Sequence, residues 1–119
     1  MSVRQIPMSE LDSRYQVGHM IPQAIISKPV SYLENNCEIS VHEDYDDFDL
    51  YEGAAMIVDG GVPIAVKRYR GHPPQTMTIY VPEQMRDIET ITALVKYILL
   101  DFHLSEGDLL WQRASNPDY

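Results

Sequence analysis

Two short runs of opposite charge hold most of the residues that could do chemistry. The first is HEDYDDFDLYE, residues 42–52, in which Glu43, Asp44, Asp46, Asp47, Asp49 and Glu52 alternate with Tyr45, Phe48 and Tyr51. Clustered carboxylates hold a hard cation or attract a basic partner. The EF-hand calcium loop needs oxygen ligands at positions one, three and five, glycine at six and glutamate at twelve. A loop starting at Asp44 puts Phe48 at position five, and one starting at Asp47 puts Tyr51 at five and Glu52 at six. Both registers fail. The other chemistry is docking: the acids steer a basic protein, and the aromatic rings anchor it. The candidate partner-binding set is Asp44, Tyr45, Asp46, Asp47, Phe48, Asp49 and Tyr51. Set against it is a solvated loop whose aromatics tuck into the core.

The second run is Lys67-Arg68-Tyr69-Arg70, with His72 just beyond. An arginine fork suits carboxylate or phosphate. Arg68, Arg70 and His72 are therefore the candidate ligand-binding set for an alternative function, a small-molecule (anionic ligand) binding domain or small enzyme. Hairpin arithmetic supplies a plainer role. A turn centred on Asp59-Gly60 sets Glu52 opposite Lys67 and Asp49 opposite Arg70, whereas one on Gly60-Gly61 sets Glu52 opposite Tyr69 and Asp49 opposite His72. Either way the acids lie along the bases. Either way Ala55 and Ile57 share a face with Val62, Ile64 and Val66. Cross-strand ion pairs, about 0.2–1 kcal/mol each, then account for both runs.

No other constellation points to catalysis. His19, His42, His72 and His103 lack metal-ligand spacing, and no CxxC, GxSxG, GxGxxG or GxxxxGK[ST] occurs. No cofactor and no metal are expected. Cys37 is the one cysteine, which fits a reducing compartment and rules out an internal disulfide. With no signal-like apolar N-terminus and no bilayer-length apolar run, the expected location is cytoplasmic. A net charge of −9 disfavours nucleic acid and anionic membranes and suits a basic partner.

The elements that position these runs lie mainly between Gly53 and Phe102. Residues 54–58 are apolar and lead to Asp59-Gly60-Gly61, which supplies the positive φ angles of a tight turn. Strands are expected over 62–66 and 76–81. In the latter, Met77, Ile79 and Val81 point inward while Thr76, Thr78 and Tyr80 share a face with water. Pro82 and Glu83 are fit to open a helix over 83–103, whose apolar stripe is Ile88, Ile91, Val95, Ile98 and Phe102, widened by Leu94 and Leu99. Upstream, a short helix is expected near 9–16, a strand at 23–27, a helix or loop at 29–35 and a strand at 37–42. Downstream, Ser105 and Asp108 form a capping-box pattern that would start a second helix.

The expected fold is α+β. An antiparallel sheet of about three to five strands carries one long amphipathic helix on one face and short terminal helices, in one domain with its core over 37–111 and a tail over 114–119. A sheet this thin needs cover on its outer face, from the N-terminal segment or from a second subunit; the latter makes a homodimer the expected assembly. The leading functional expectation is a small interaction protein for a basic partner, such as an inhibitor or an immunity or antitoxin protein. Its likeness to inhibitors of nucleic-acid-cleaving toxins is one of composition alone.

Overall fold

The computed structural model describes residues 3–46, 49–58 and 61–113. The turn residues Asp59 and Gly60 and the tail 114–119 lie outside the described residues, as do Asp47 and Phe48. The elements in order are β1 (Val3–Ile6), α1 (Glu10–Ser13), β2 (Met20–Ile26), α2 (Ser31–Asn36), β3 (His42–Tyr45), β4 (Leu50–Val58), β5 (Val62–Tyr69), β6 (Met77–Pro82), α3 (Ile88–Asp101), a 3-10 turn (Glu106–Asp108) and β7 (Leu109–Gln112).

The fold is α+β on an antiparallel sheet, but the sheet has seven strands in the order β1-β4-β5-β6-β2-β7, with β3 paired to β4 as well. The expected three to five strands fall short because the ends of the chain contribute two more. β1 pairs with the far half of β4, from Val3 opposite Val58 to Ile6 opposite Ala55. β7 pairs with β2, with Trp111 opposite Ile25. The capping box does form, Asp108 accepting from Ser105 N–H at 3.0 Å, but it closes a single 3-10 turn instead of opening a helix. Ser27 N–H then bonds the Asp108 carbonyl at 2.8 Å and draws the chain into β7.

The hairpin register differs from both two-residue turns. Val58 pairs with Val62, Glu52 with Arg68 and Tyr51 with Tyr69, so three residues connect β4 and β5. Gly61 takes φ +91°, and its N–H bonds the Val58 carbonyl at 2.9 Å. A left-handed glycine closing a three-residue loop is a common hairpin solution. The extra residue moves β4 by one position. Ala54, Met56 and Val58 therefore join Ile64 and Val66 on the inner face, and Ala55 and Ile57 pass to the outer face. A one-residue slip exchanges the two faces.

Both faces are covered. Val95, Ile98 and Phe102 of the helical stripe, with Leu94 and Leu99, bury against the inner face beside Leu33 of α2, and Ile91 is buried as well. On the outer face Ile6, Leu11 and Val17 of the N-terminal segment cover Ala55, Ile57, Ala65 and Tyr80. The wet face expected for 76–81 is therefore absent: all six residues of β6 are buried. Of the two covers expected for this face, the N-terminal segment supplies one, and buried residues begin at Ile6.

Two further boundaries moved. β6 keeps pairing with β2 as far as Pro82, opposite Met20, so α3 starts at Ile88 behind Asp87, whose carboxylate accepts from the Thr90 hydroxyl. Ile88, at the start of the expected stripe, is left exposed. Residues 37–41 are not a strand: the Leu33 carbonyl accepts from Cys37 N–H and Ile39 N–H, and Glu38 adopts φ +57°. This stretch wraps the end of α2 before β3 begins. Among the described residues no helix is long and apolar enough to cross a membrane.

Candidate functional site

The two charged runs meet, and the fold splits the acidic run into two environments. β4 and β5 bring Tyr51, Lys67 and Tyr69 to the outer face, and β6 adds Tyr80. Gly53, opposite Lys67, leaves room for the lysine stem: a Cβ there would sit 3.1 Å from Lys67 Cγ and 2.3 Å from the Val66 carbonyl oxygen. The Lys67 ammonium lies 4.6, 5.7 and 5.6 Å from the ring centroids of Tyr51, Tyr69 and Tyr80. Asp46, in the β3–β4 connection, approaches it at 3.4 Å. The same carboxylate oxygen accepts from the Tyr69 hydroxyl. This is an ammonium enclosed by aromatic faces and one carboxylate, filled by the chain's own lysine.

The surroundings keep the three phenols neutral. Burial pushes the Tyr69 hydroxyl well above the usual tyrosine range, helped by its hydrogen bond to the Asp46 carboxylate. Burial likewise pushes Tyr80 up to about 12, with the Asp46 charge adding to it. Tyr51 is raised by burial and then by Asp44 and Asp46. A neutral phenol donating to a carboxylate is a stable structural arrangement, since ionising it would set two negative charges side by side.

The arginines are held as well. Arg70 bonds Asp49 at 2.7 Å. Arg68 donates to the His72 carbonyl at 2.9 Å and the Pro73 carbonyl at 3.3 Å, and lies 4.0 Å from Glu52. The His72 ring stands edge-on to Tyr69 at 5.8 Å. The expected alignment of acids along bases is therefore present in a different register. Arg68 holds the loop after β5 and pairs with Glu52, Arg70 pairs with Asp49, and His72 packs on Tyr69. An anion there would have to displace Asp49 or Glu52.

Of the partner-binding set, Asp46 and Tyr51 face inward contacts, Asp49 pairs with the exposed Arg70, and Asp47 and Phe48 lie outside the described residues. Asp44 and Tyr45 remain on the surface, with His42 and Glu43: every residue of β3 is exposed, Tyr45 at 72%. Such a strand has no packing reason of its own and is held by its pairing to β4, His42 opposite Gly53 through Tyr45 opposite Leu50. Among the described residues, no strand pairs with its other edge.

β1 and β3 run in the same direction along one edge of β4, β1 opposite 55–58 and β3 opposite 50–53. Together they make one edge strand with a break, which Pro7 enforces by ending β1. The Gln5 side chain spans the break, donating to the Ser40 carbonyl at 2.7 Å and accepting from Ser40 N–H at 2.8 Å. At the break a cavity of about 40 Å³ opens, floored by Gly53, Ala54 and Ala55 and walled by His42, Asp44 and Tyr51 on one side and Ile6 and Met8 on the other. Sequence reasoning missed this cavity. Its one local signal was the run of small residues 53–55, which read only as strand. Among the described residues no group of three or more His, Cys, Asp or Glu side chains converges on a metal position.

No protein-family model matches the chain, and no curated protein or solved structure matches it significantly.

Proposed function

We propose that this chain is a protein-interaction domain that receives a basic, extended segment of its partner along the open edge of β3. The supporting observation is that all four residues His42–Tyr45 are exposed on an edge strand whose far side is unpaired among the described residues. Adding a strand to a sheet edge supplies affinity through main-chain hydrogen bonds and specificity through alternate side chains. Charges on an edge strand also serve the ordinary purpose of discouraging aggregation. Tyr45 is the residue that this purpose does not require: a broad ring at 72% exposure is the kind of anchor that interfaces bury. The net charge of −9 steers a basic partner toward the domain. A partner whose basic functional surface docks here would be blocked sterically, which is how the domain would inhibit it.

Titration of isotope-labelled protein with a capped hexapeptide alternating valine and lysine tests the reading. Saturable shifts centred on 42–45 that weaken with added salt are expected, and they vanish in a Glu43→Gln/Asp44→Asn/Tyr45→Ser variant. Absence of binding, or binding that ignores the triple variant, would reject it.

A further inference from the structure

The geometry points to the cavity at the break between β1 and β3 as a recognition pocket for one lysine side chain, an inference that rests on β3 being the docking edge. At about 40 Å³ the cavity is far below the roughly 300–1,000 Å³ of a metabolite site, but it admits the end of one side chain. Its two walls differ in character. Ile6 and Met8 offer an apolar surface, and Asp44 offers a carboxylate. A lysine is built the same way, an apolar stem ending in a charge that seeks a polar partner. Asp44 Oδ1 accepts from Tyr45 N–H at 2.8 Å, and Oδ2 has no protein partner among the described residues. Too few ligands converge for a divalent cation. A guanidinium is a broad plane that asks for paired acceptors, whereas an ammonium is a compact charge that a single carboxylate can hold.

Strand geometry delivers such a side chain to the pocket. His42 and Asp44 project to the cavity side of β3, and Glu43 and Tyr45 to the other. A segment added along β3 places every second side chain on the cavity side, so one of them arrives beside Asp44. Asp44 and Glu43 are thus adjacent acids of equal charge, and only Asp44 lines the pocket.

The experiment compares the intact chain with Asp44→Asn and Glu43→Gln. Each is titrated with the capped valine–lysine hexapeptide and with its valine–arginine counterpart. Both substitutions fall on exposed positions, and unchanged melting temperatures would verify folding. Asp44→Asn is expected to weaken the lysine peptide about tenfold, and Glu43→Gln by no more than about twofold. The lysine peptide is expected to bind several-fold tighter than the arginine peptide. Equal losses from the two substitutions, or arginine binding as well as lysine, would overturn the pocket and leave the docking edge standing. No binding by the intact chain would overturn both.

Discussion

Asp44 and Asp46 are two residues apart in one acidic run, yet the fold gives them opposite surroundings. Asp46 turns under the sheet, where it neutralises Lys67 and accepts from Tyr69, among three tyrosine rings. Asp44 stays on an exposed strand, and among the described residues its carboxylate bonds only the next backbone N–H. Tyr51 and Tyr45 repeat the contrast, 5% exposed against 72%. The difference teaches that composition alone does not separate structural charge from available charge. What separates them is the strand pairing behind each residue. The Lys67 cluster has partners from β4, β5 and β6 as well as the β3–β4 connection; among the described residues β3 pairs with β4 alone.

The contrast is broken most severely by removing the carboxylate from the inner cluster. Asp46→Ala removes the carboxylate shared by the Lys67 ammonium and the Tyr69 hydroxyl in a site where the lysine side chain is 12% exposed. Stranding a buried charge costs about 3–5 kcal/mol. Asp46 is itself 26% exposed and water can partly replace it, so the expected loss is about 2–3 kcal/mol. Urea denaturation measures it, and a loss under about 0.5 kcal/mol would show that the cluster contributes nothing beyond an ordinary surface pair.

High pH attacks the same cluster from the phenols. A tyrosine whose pKa is raised on folding leaves stability intact below its unfolded value of about 10, because both states are then protonated. Above that, the unfolded chain ionises first. Stability therefore falls as pH rises from about 10 through the folded value of about 12 at Tyr80, by on the order of 2–3 kcal/mol from that residue alone. Tyr51 and Tyr69 act in the same direction. Phenolate absorbance followed with stability against pH checks this. Ionisation of Tyr80 near pH 10 without unfolding would contradict its burial.

Gly53→Ala tests the space that lets Lys67 cross the sheet. Its Cβ would come within 2.3 Å of the Val66 carbonyl oxygen and 3.0 Å of Lys67 Cα, both backbone atoms, so the strands must separate locally. Overpacking of this kind costs about 1–3 kcal/mol. Thermal melts that match the wild type would mean β4 and β5 yield freely at this point.

How much of this was legible in the sequence follows from how local each signal is. The α3 stripe was readable because Ile91, Val95 and Ile98 repeat along one helix that Phe102 caps. The inward set Met77, Ile79 and Val81 was readable from alternation. The hairpin was located correctly, but its register hung on whether two or three residues turn, and that parity decides which side chains meet Lys67. Tyr51, Lys67 and Tyr69 could be grouped only with the three-residue loop in hand, and Tyr80 only with β6 placed beside β5. β7 was lost because Leu109–Gln112 follows a true capping box, and only pairing to β2 tells a strand from a continuing helix. The break between β1 and β3 joins residues 5 and 40, a contact that no local pattern announces.

The smallest expected effect is the most informative for function. Removing Glu43, Asp44 and Tyr45 together, as Gln, Asn and Ser, takes away side chains that bury nothing. Exposed substitutions of this kind stay within about 0.5 kcal/mol each. Glu43 stands directly opposite Glu52, so losing its charge relieves a like-charge pair and offsets part of any cost. The triple variant should therefore unfold at nearly the same urea concentration as the wild type while losing the basic peptide. Asp46→Ala should do the reverse, falling in stability while keeping the peptide wherever the domain stays folded. If instead the β3 variant loses stability by several kcal/mol, the exposed strand is structural after all. The line drawn between Asp44 and Asp46 would then disappear, and with it the argument that one half of the acidic run is held in reserve for a partner.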